Sequence, residues 1–186
     1  IQDQIATSFG NFNYVKIDKD GTYNIEKVLL TKSEIENFLD RIVLVYTGIT
    51  RLASSVSEKK VKDIVIKKDI VKEMQKMVLR SKEMVESGDL DNFGKLLHEN
   101  WQLKRSISDV VSNKEIDDLY SKALKNGALG GKLLGAGSGG FLMFFAEEGR
   151  KGELVDVFDT NMVVPFGICT DGCRIVYEEN KSYGIL

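Results

Sequence analysis

The chain has 186 residues, with 26 lysines and arginines against 28 aspartates and glutamates, a net charge of −2 and no basic block. That balance argues against an electrostatic binder of nucleic acid or anionic membranes, and the length allows one hydrophobic core or at most two small ones. No apolar stretch approaches the ~18 residues needed to span a bilayer and no signal-peptide pattern opens the sequence, so a cytoplasmic protein is expected.

Taken in chain order, Phe12–Asp18 alternates apolar and polar residues and predicts a strand. Asp18-Lys-Asp-Gly21 is a turn by composition, and Thr22–Leu30 predicts a second strand that completes a hairpin. Lys32–Leu39 predicts a short helix or turn, and the β-branched run Arg41–Tyr46 a strand that Thr47-Gly48 breaks. A helix is expected from about Thr50, and Asp63–Glu86 repeats apolar residues at helical spacing (Ile66, Ile70, Met74, Met77, Val78). Ser87-Gly88 ends that helix, and Asp89 is a suitable N-cap for the next, which runs through Trp101 to about Ile107. Asn113 caps a helix over Lys114–Asn126, Phe141–Ala146 reads as a buried strand, Glu153–Phe158 as a short helix, and Arg174–Glu178 as β-prone. Strands and helices are segregated rather than strictly alternating, which favours an α+β fold. Cys169 and Cys173 have no further cysteine or histidine beside them, too few ligands for zinc, so free thiols are expected.

Seven of the seventeen glycines fall between Gly127 and Gly140, in Gly127-Ala-Leu-Gly-Gly-Lys-Leu-Leu-Gly-Ala-Gly-Ser-Gly-Gly140. Glycine loses the most backbone entropy on folding, so such a cluster implies unusual dihedrals or close approach to a ligand, and converging main-chain N–H groups form a concavity suited to phosphate. A P-loop is excluded, because Lys132 precedes the dense glycines and no Gly-Lys-Ser or Gly-Lys-Thr follows them. Gly135, Gly137 and Gly140 do spell the dinucleotide fingerprint Gly-x-Gly-x-x-Gly, and Lys132-Leu-Leu134 could be the end of a short strand before it. That motif needs a strand before it and a helix after it. Here the helical pattern lies upstream and the strand downstream, so the run reads as a helix-to-strand loop.

The same run resembles the third, glycine-rich motif of the GHMP kinases, the family of galactokinase, homoserine kinase, mevalonate kinase and phosphomevalonate kinase. Gln2-Asp3-Gln4-Ile-Ala-Thr-Ser-Phe-Gly-Asn11 resembles the family segment that carries its catalytic aspartate. Tyr46-Thr-Gly-Ile-Thr-Arg-Leu-Ala53 and Leu96-Leu-His-Glu-Asn-Trp101 resemble segments of one subgroup, the heptose-phosphate kinases. The resemblance runs in order, with gaps, from Asp3 to about Phe145; Ser138 departs from it, standing where the family usually has glycine.

The resemblance implies a ferredoxin-like antiparallel sheet with helices on one face over residues 31–186, preceded by the end of an N-terminal kinase domain over 1–30. It implies ATP-dependent phosphorylation of a sugar phosphate, with Mg²⁺ brought in with ATP, and a heptose 7-phosphate as acceptor. Asp3 would be the catalytic carboxylate, and Gly135, Gly137, Ser138, Gly139 and Gly140 the phosphate-facing loop. Thr47 and Arg51 are substrate-binding candidates, because guanidinium suits bidentate phosphate contacts, although an arginine there can equally be solvated. His98, the single histidine, touches substrate on one reading and is a hydrogen-bonded structural residue on the other. The family's Gly-Leu-Gly-Ser-Ser type phosphate loop does not occur in these residues. The expectation is therefore a C-terminal kinase half that is inactive alone, with a non-catalytic sugar- or phosphate-binding module of the same ancestry as the rival. Oligomeric state, a homodimer included, stays open.

Overall fold

The computed structural model describes residues 2–49, 67–135 and 139–175. The chain divides into two compact units, one of Ile1–Leu29 with Gly167–Leu186 and one of Leu30–Phe166.

In the first unit, helix α1 (Gln2–Phe9) ends where Gly10 and Asn11 adopt positive φ, 60° and 59°. Strands β1 (Asn13–Ile17) and β2 (Tyr23–Lys27) form the expected antiparallel hairpin, in register from Asn13 opposite Lys27 to Ile17 opposite Tyr23. Its turn is held by Asp20, whose carboxylate accepts from the Thr22 amide (3.0 Å) and hydroxyl (2.7 Å), bonds that hold that carboxyl below its ordinary range. Residues 169–173 join this unit through main-chain bonds, Asn11 N–H to Cys169 O (2.9 Å) and Cys173 N–H to Ser8 O (2.9 Å). The approach requires glycine, since a Cβ on Gly172 would lie 2.0 Å from Ser8 O. Both cysteines are free and exposed. Residues 174–175 form no strand, and the remainder of the β-prone stretch lies outside the described residues.

The second unit opens with α2 (Lys32–Asp40), begun by a reciprocal capping box between Thr31 and Glu34. Strand β3 (Ile42–Tyr46) follows, then α3 (Lys68–Ser87), closed by Gly88 at φ 76°, and α4 (Leu90–Ile107). Asp89 does not cap α4 through its side chain; its carboxylate accepts from Asn92 Nδ2 instead (2.9 Å). Asn113 does cap α5 (Lys114–Lys125), accepting from the Ile116 amide at 2.9 Å. The helix expected from about Thr50 lies outside the described residues.

After α5 the structure departs from the expected helix-to-strand loop. Ala128–Leu133 form a strand, β4, and β5 (Phe141–Ala146) follows as its hairpin partner. The sheet is antiparallel in the order β3-β5-β4, with β5 in the centre, and α6 (Lys151–Asp156) comes after it, two residues earlier than expected. The molecule is α+β with antiparallel sheets. β5 is apolar without alternation because its side chains are packed in both directions. Phe145 packs tilted against Phe38 (5.4 Å) and edge-on against Phe93 (5.1 Å), while Phe144 meets Tyr120 and Phe158, both at 5.7 Å. Trp101, Ile116, Ala123, Leu142 and Leu154 complete a core with no solvent exposure.

Candidate functional site: a clipped glycine hairpin

Leu134 N–H donates to Phe141 O (2.8 Å), closing the base of the β4–β5 hairpin. Beyond it the chain must reverse with Gly135 at φ 72° and Gly140 at φ 96°, conformations an L side chain rarely adopts. The turn after β3 seizes this hairpin from the side. Thr47 N–H and Thr47 Oγ1 both donate to Gly140 O at 2.8 Å, and Gly140 N–H returns a bond to Ile49 O at 3.0 Å. Thr47 Oγ1 also accepts from Ile49 N–H (3.3 Å), and the residue is buried. Gly139 passes so close that a Cβ there would lie 2.5 Å from Ile49 O.

These contacts divide the predicted residues by role. Thr47 braces the loop with its hydroxyl, and the Gly140 amide is consumed in the same clip. Gly135 and Gly139 shape the turn, while Gly137, Ser138 and Arg51 lie outside the described residues. Asp3 sits in the first turn of α1, in the first unit, exposed; its carbonyl accepts from Thr7 Oγ1 (3.0 Å). A carboxylate in that turn is favourably placed against the positive end of the helix dipole.

The upstream glycines have a different cause. Gly130 faces α4, where a Cβ would stand 2.2 Å from Gly94 O and 2.7 Å from His98 N, and on Gly131 it would meet Met143 O at 2.4 Å. Gly94, in the middle of α4, is equally crowded by Leu129 Cβ at 2.8 Å. Helix and strand therefore lie backbone on backbone. A glycine inside an otherwise regular helix is costly, and Gly94 was the signal in the sequence for this contact. His98 lies beside it as a structural residue. Its Nδ1 pairs with Tyr120 Oη (3.0 Å), which donates to Gly131 O (3.3 Å). Burial pushes the Tyr120 phenol well above its ordinary range, so it stays a neutral donor.

A strand now precedes Gly135-x-Gly-x-x-Gly140, as a dinucleotide fingerprint requires, but a second strand follows it, so that reading fails on its other flank. What the arrangement does is fix Gly139 and Gly140, at the entry to β5, against the turn after β3. Residues 79–163, which span this hairpin and its supporting helices, match the family model for the C-terminal region of GHMP kinases. The chain carries a GHMP kinase C-terminal domain.

Relatives agree with that assignment. D-glycero-alpha-D-manno-heptose 7-phosphate kinase of Campylobacter jejuni is 33% identical over 182 residues, covering 93% of this chain and 52% of that protein. The galactokinase of Thermococcus kodakarensis is 40% identical over 78 residues, 41% of this chain and 21% of that protein. Among solved structures, a D-glycero-D-manno-heptose 1-phosphate kinase from Bacteroides thetaiotaomicron superposes with a TM-score of 0.63 at 23% identity, covering 95% of this chain and 49% of that one. The L. major mevalonate kinase gives 0.62 at 24%, covering 77% and 43%. These two likenesses establish the fold. The chain spans about half the length of the heptose kinase it matches, and less of the galactokinase.

Proposed function

We propose that this GHMP kinase domain belongs to a cytoplasmic, ATP-dependent sugar-phosphate kinase acting on a heptose 7-phosphate. The observation that carries the reading is the clipped glycine hairpin within a chain aligned over 93% of its length to a heptose 7-phosphate kinase. In the proposed step the anomeric hydroxyl oxygen attacks the γ-phosphorus of ATP, a new O–P bond forms, the bond to the β-phosphate oxygen breaks, and ADP leaves. Asp3 orients the hydroxyl and accepts its proton. The glycine loop contributes backbone dipoles toward the phosphates, since phosphoryl transfer depends on positioning and charge stabilisation more than on covalent help. No group of three or more acidic, histidine or cysteine side chains among the described residues could hold a metal ion. In this reading Mg²⁺ would enter with the nucleotide phosphates, and no step is assigned to it.

The test is ADP release by the protein as its full reading frame encodes it, with ATP and a panel of sugar phosphates. Heptose 7-phosphate is expected to be the best acceptor, and Asp3→Asn to lower kcat by about 10²–10⁴-fold with sugar binding kept within a few-fold. An unaffected rate removes Asp3 from the mechanism. Sugar binding without ADP release, in a frame that encodes no Gly-Leu-Gly-Ser-Ser loop upstream of Ile1, makes the protein a binding module.

A further inference from the structure

A second feature of the domain is independent of the kinase reading. A cavity of about 280 Å³ lies between α3, α4 and the sheet, remote in its chemistry from the glycine hairpin. Its walls are largely apolar, formed by Met77, Phe93, Leu96 and Met143 among others, and no acidic side chain lines it. Yet Lys132, on β4, reaches into this wall half-buried, and its ammonium has no hydrogen bond or ion pair among the described residues. Burial alone pushes its pKa down, with no partner opposing the shift. Asn100, also lining the cavity, gives its amide to Met77 Sδ at 3.7 Å, and a thioether is a poor acceptor. Ser81 spends its hydroxyl proton on Val78 O (2.7 Å).

The cavity thus sets one unpartnered ammonium and one weakly bonded amide in walls that are otherwise largely apolar. Charges and amides in such surroundings require an acceptor. Inorganic phosphate would satisfy the donors but leave the apolar walls unused. We propose that this cavity binds a small amphiphilic monocarboxylate, its carboxylate held by Lys132 Nζ and the Asn100 amide and its aliphatic tail against Met77, Phe93, Leu96 and Met143. At about 30 Å³ per water-sized group the cavity has room for a chain of roughly six to eight carbons.

Calorimetric titration of the protein with acetate, butanoate, hexanoate and inorganic phosphate tests this. Hexanoate is expected to saturate one site, with affinity rising about fourfold per methylene from butanoate. Lys132→Met, which keeps the aliphatic stem, is expected to weaken hexanoate at least tenfold, and Asn100→Ala severalfold. Val78→Trp, a change at an exposed position on the rim, closes the cavity and abolishes binding; it decides the matter if Lys132→Met does not fold. Unchanged hexanoate affinity in Lys132→Met or Val78→Trp overturns the proposal. So do equal affinities for acetate and hexanoate, tighter binding of phosphate, or no saturable binding at all.

Discussion

The two halves of the glycine run look alike as letters and differ in what they do. Gly130 and Gly131 lie in a regular strand, where the missing Cβ lets α4 and the neighbouring strand approach within backbone contact. Gly135 and Gly140 have open space where a Cβ would stand and are needed for their positive φ, while Gly139 combines loop position with a tight contact to Ile49. One half is glycine because of what surrounds it, the other because of what its backbone must do. The comparison separates glycines that hold the domain together from those that shape a candidate site.

Substitutions can break that contrast, and the largest effect belongs to the packed half. Gly130→Ala is expected to destabilise the domain by about 3 kcal/mol or more, because backbone atoms on both elements must give way. Urea denaturation measures it, and activity should fall only as far as the folded fraction falls. Gly139→Ala should cost about 2 kcal/mol by displacing the Ile49 carbonyl, and it should reduce kcat/KM beyond what stability explains. If its activity instead follows the folded fraction, the hairpin is scaffold and the contrast collapses. Thr47→Val is expected to cost about 1 kcal/mol through loss of the hydroxyl bond to Gly140, although Thr47 N–H still pairs with the same carbonyl. Gly135→Ala, at a positive φ in open space, should also cost about 1 kcal/mol.

The smallest effect has the opposite sign. The folded-state pKa of Lys132 is depressed by burial, so the unfolded chain binds more protons in the interval from that depressed value up to about 10.4. Stability is therefore expected to rise with pH through this window. Lys132→Met should remove that slope and stabilise the domain at neutral pH, by under ~1 kcal/mol because the site is partly open to solvent. Thermal melts across pH 7–10 on both proteins check it.

Much of the second unit was legible because its signals are local. Gly88 and Asn113 mark helix ends by chemistry that acts within a turn, and the period of Met74, Met77 and Val78 marks a helix without reference to a partner. Only the end of β4 was hinted at, by Lys132-Leu-Leu134, because Gly130 and Gly131 carry no strand propensity. They enter the sheet only because β5 supplies hydrogen bonds and α4 leaves no room for a side chain. α1 was missed for a related reason, since a single buried side chain, Ile5, leaves no apolar period to read.

The glycine motif and its flanking segments were enough, as sequence, to identify the family, because the letters of a backbone-shaping loop are restricted to residues that tolerate its dihedrals. What the clip does was decided by tertiary structure alone. Thr47 reads in sequence as a candidate ligand for substrate, yet its hydroxyl and amide are spent on Gly140, 93 residues away. The same holds for His98, tied to Tyr120, and for Lys132, whose place in the motif gives no sign of the cavity it lines. Hydrogen-bond partners and burial belong to pairs of residues distant in the chain, and only the folded backbone brings those pairs together.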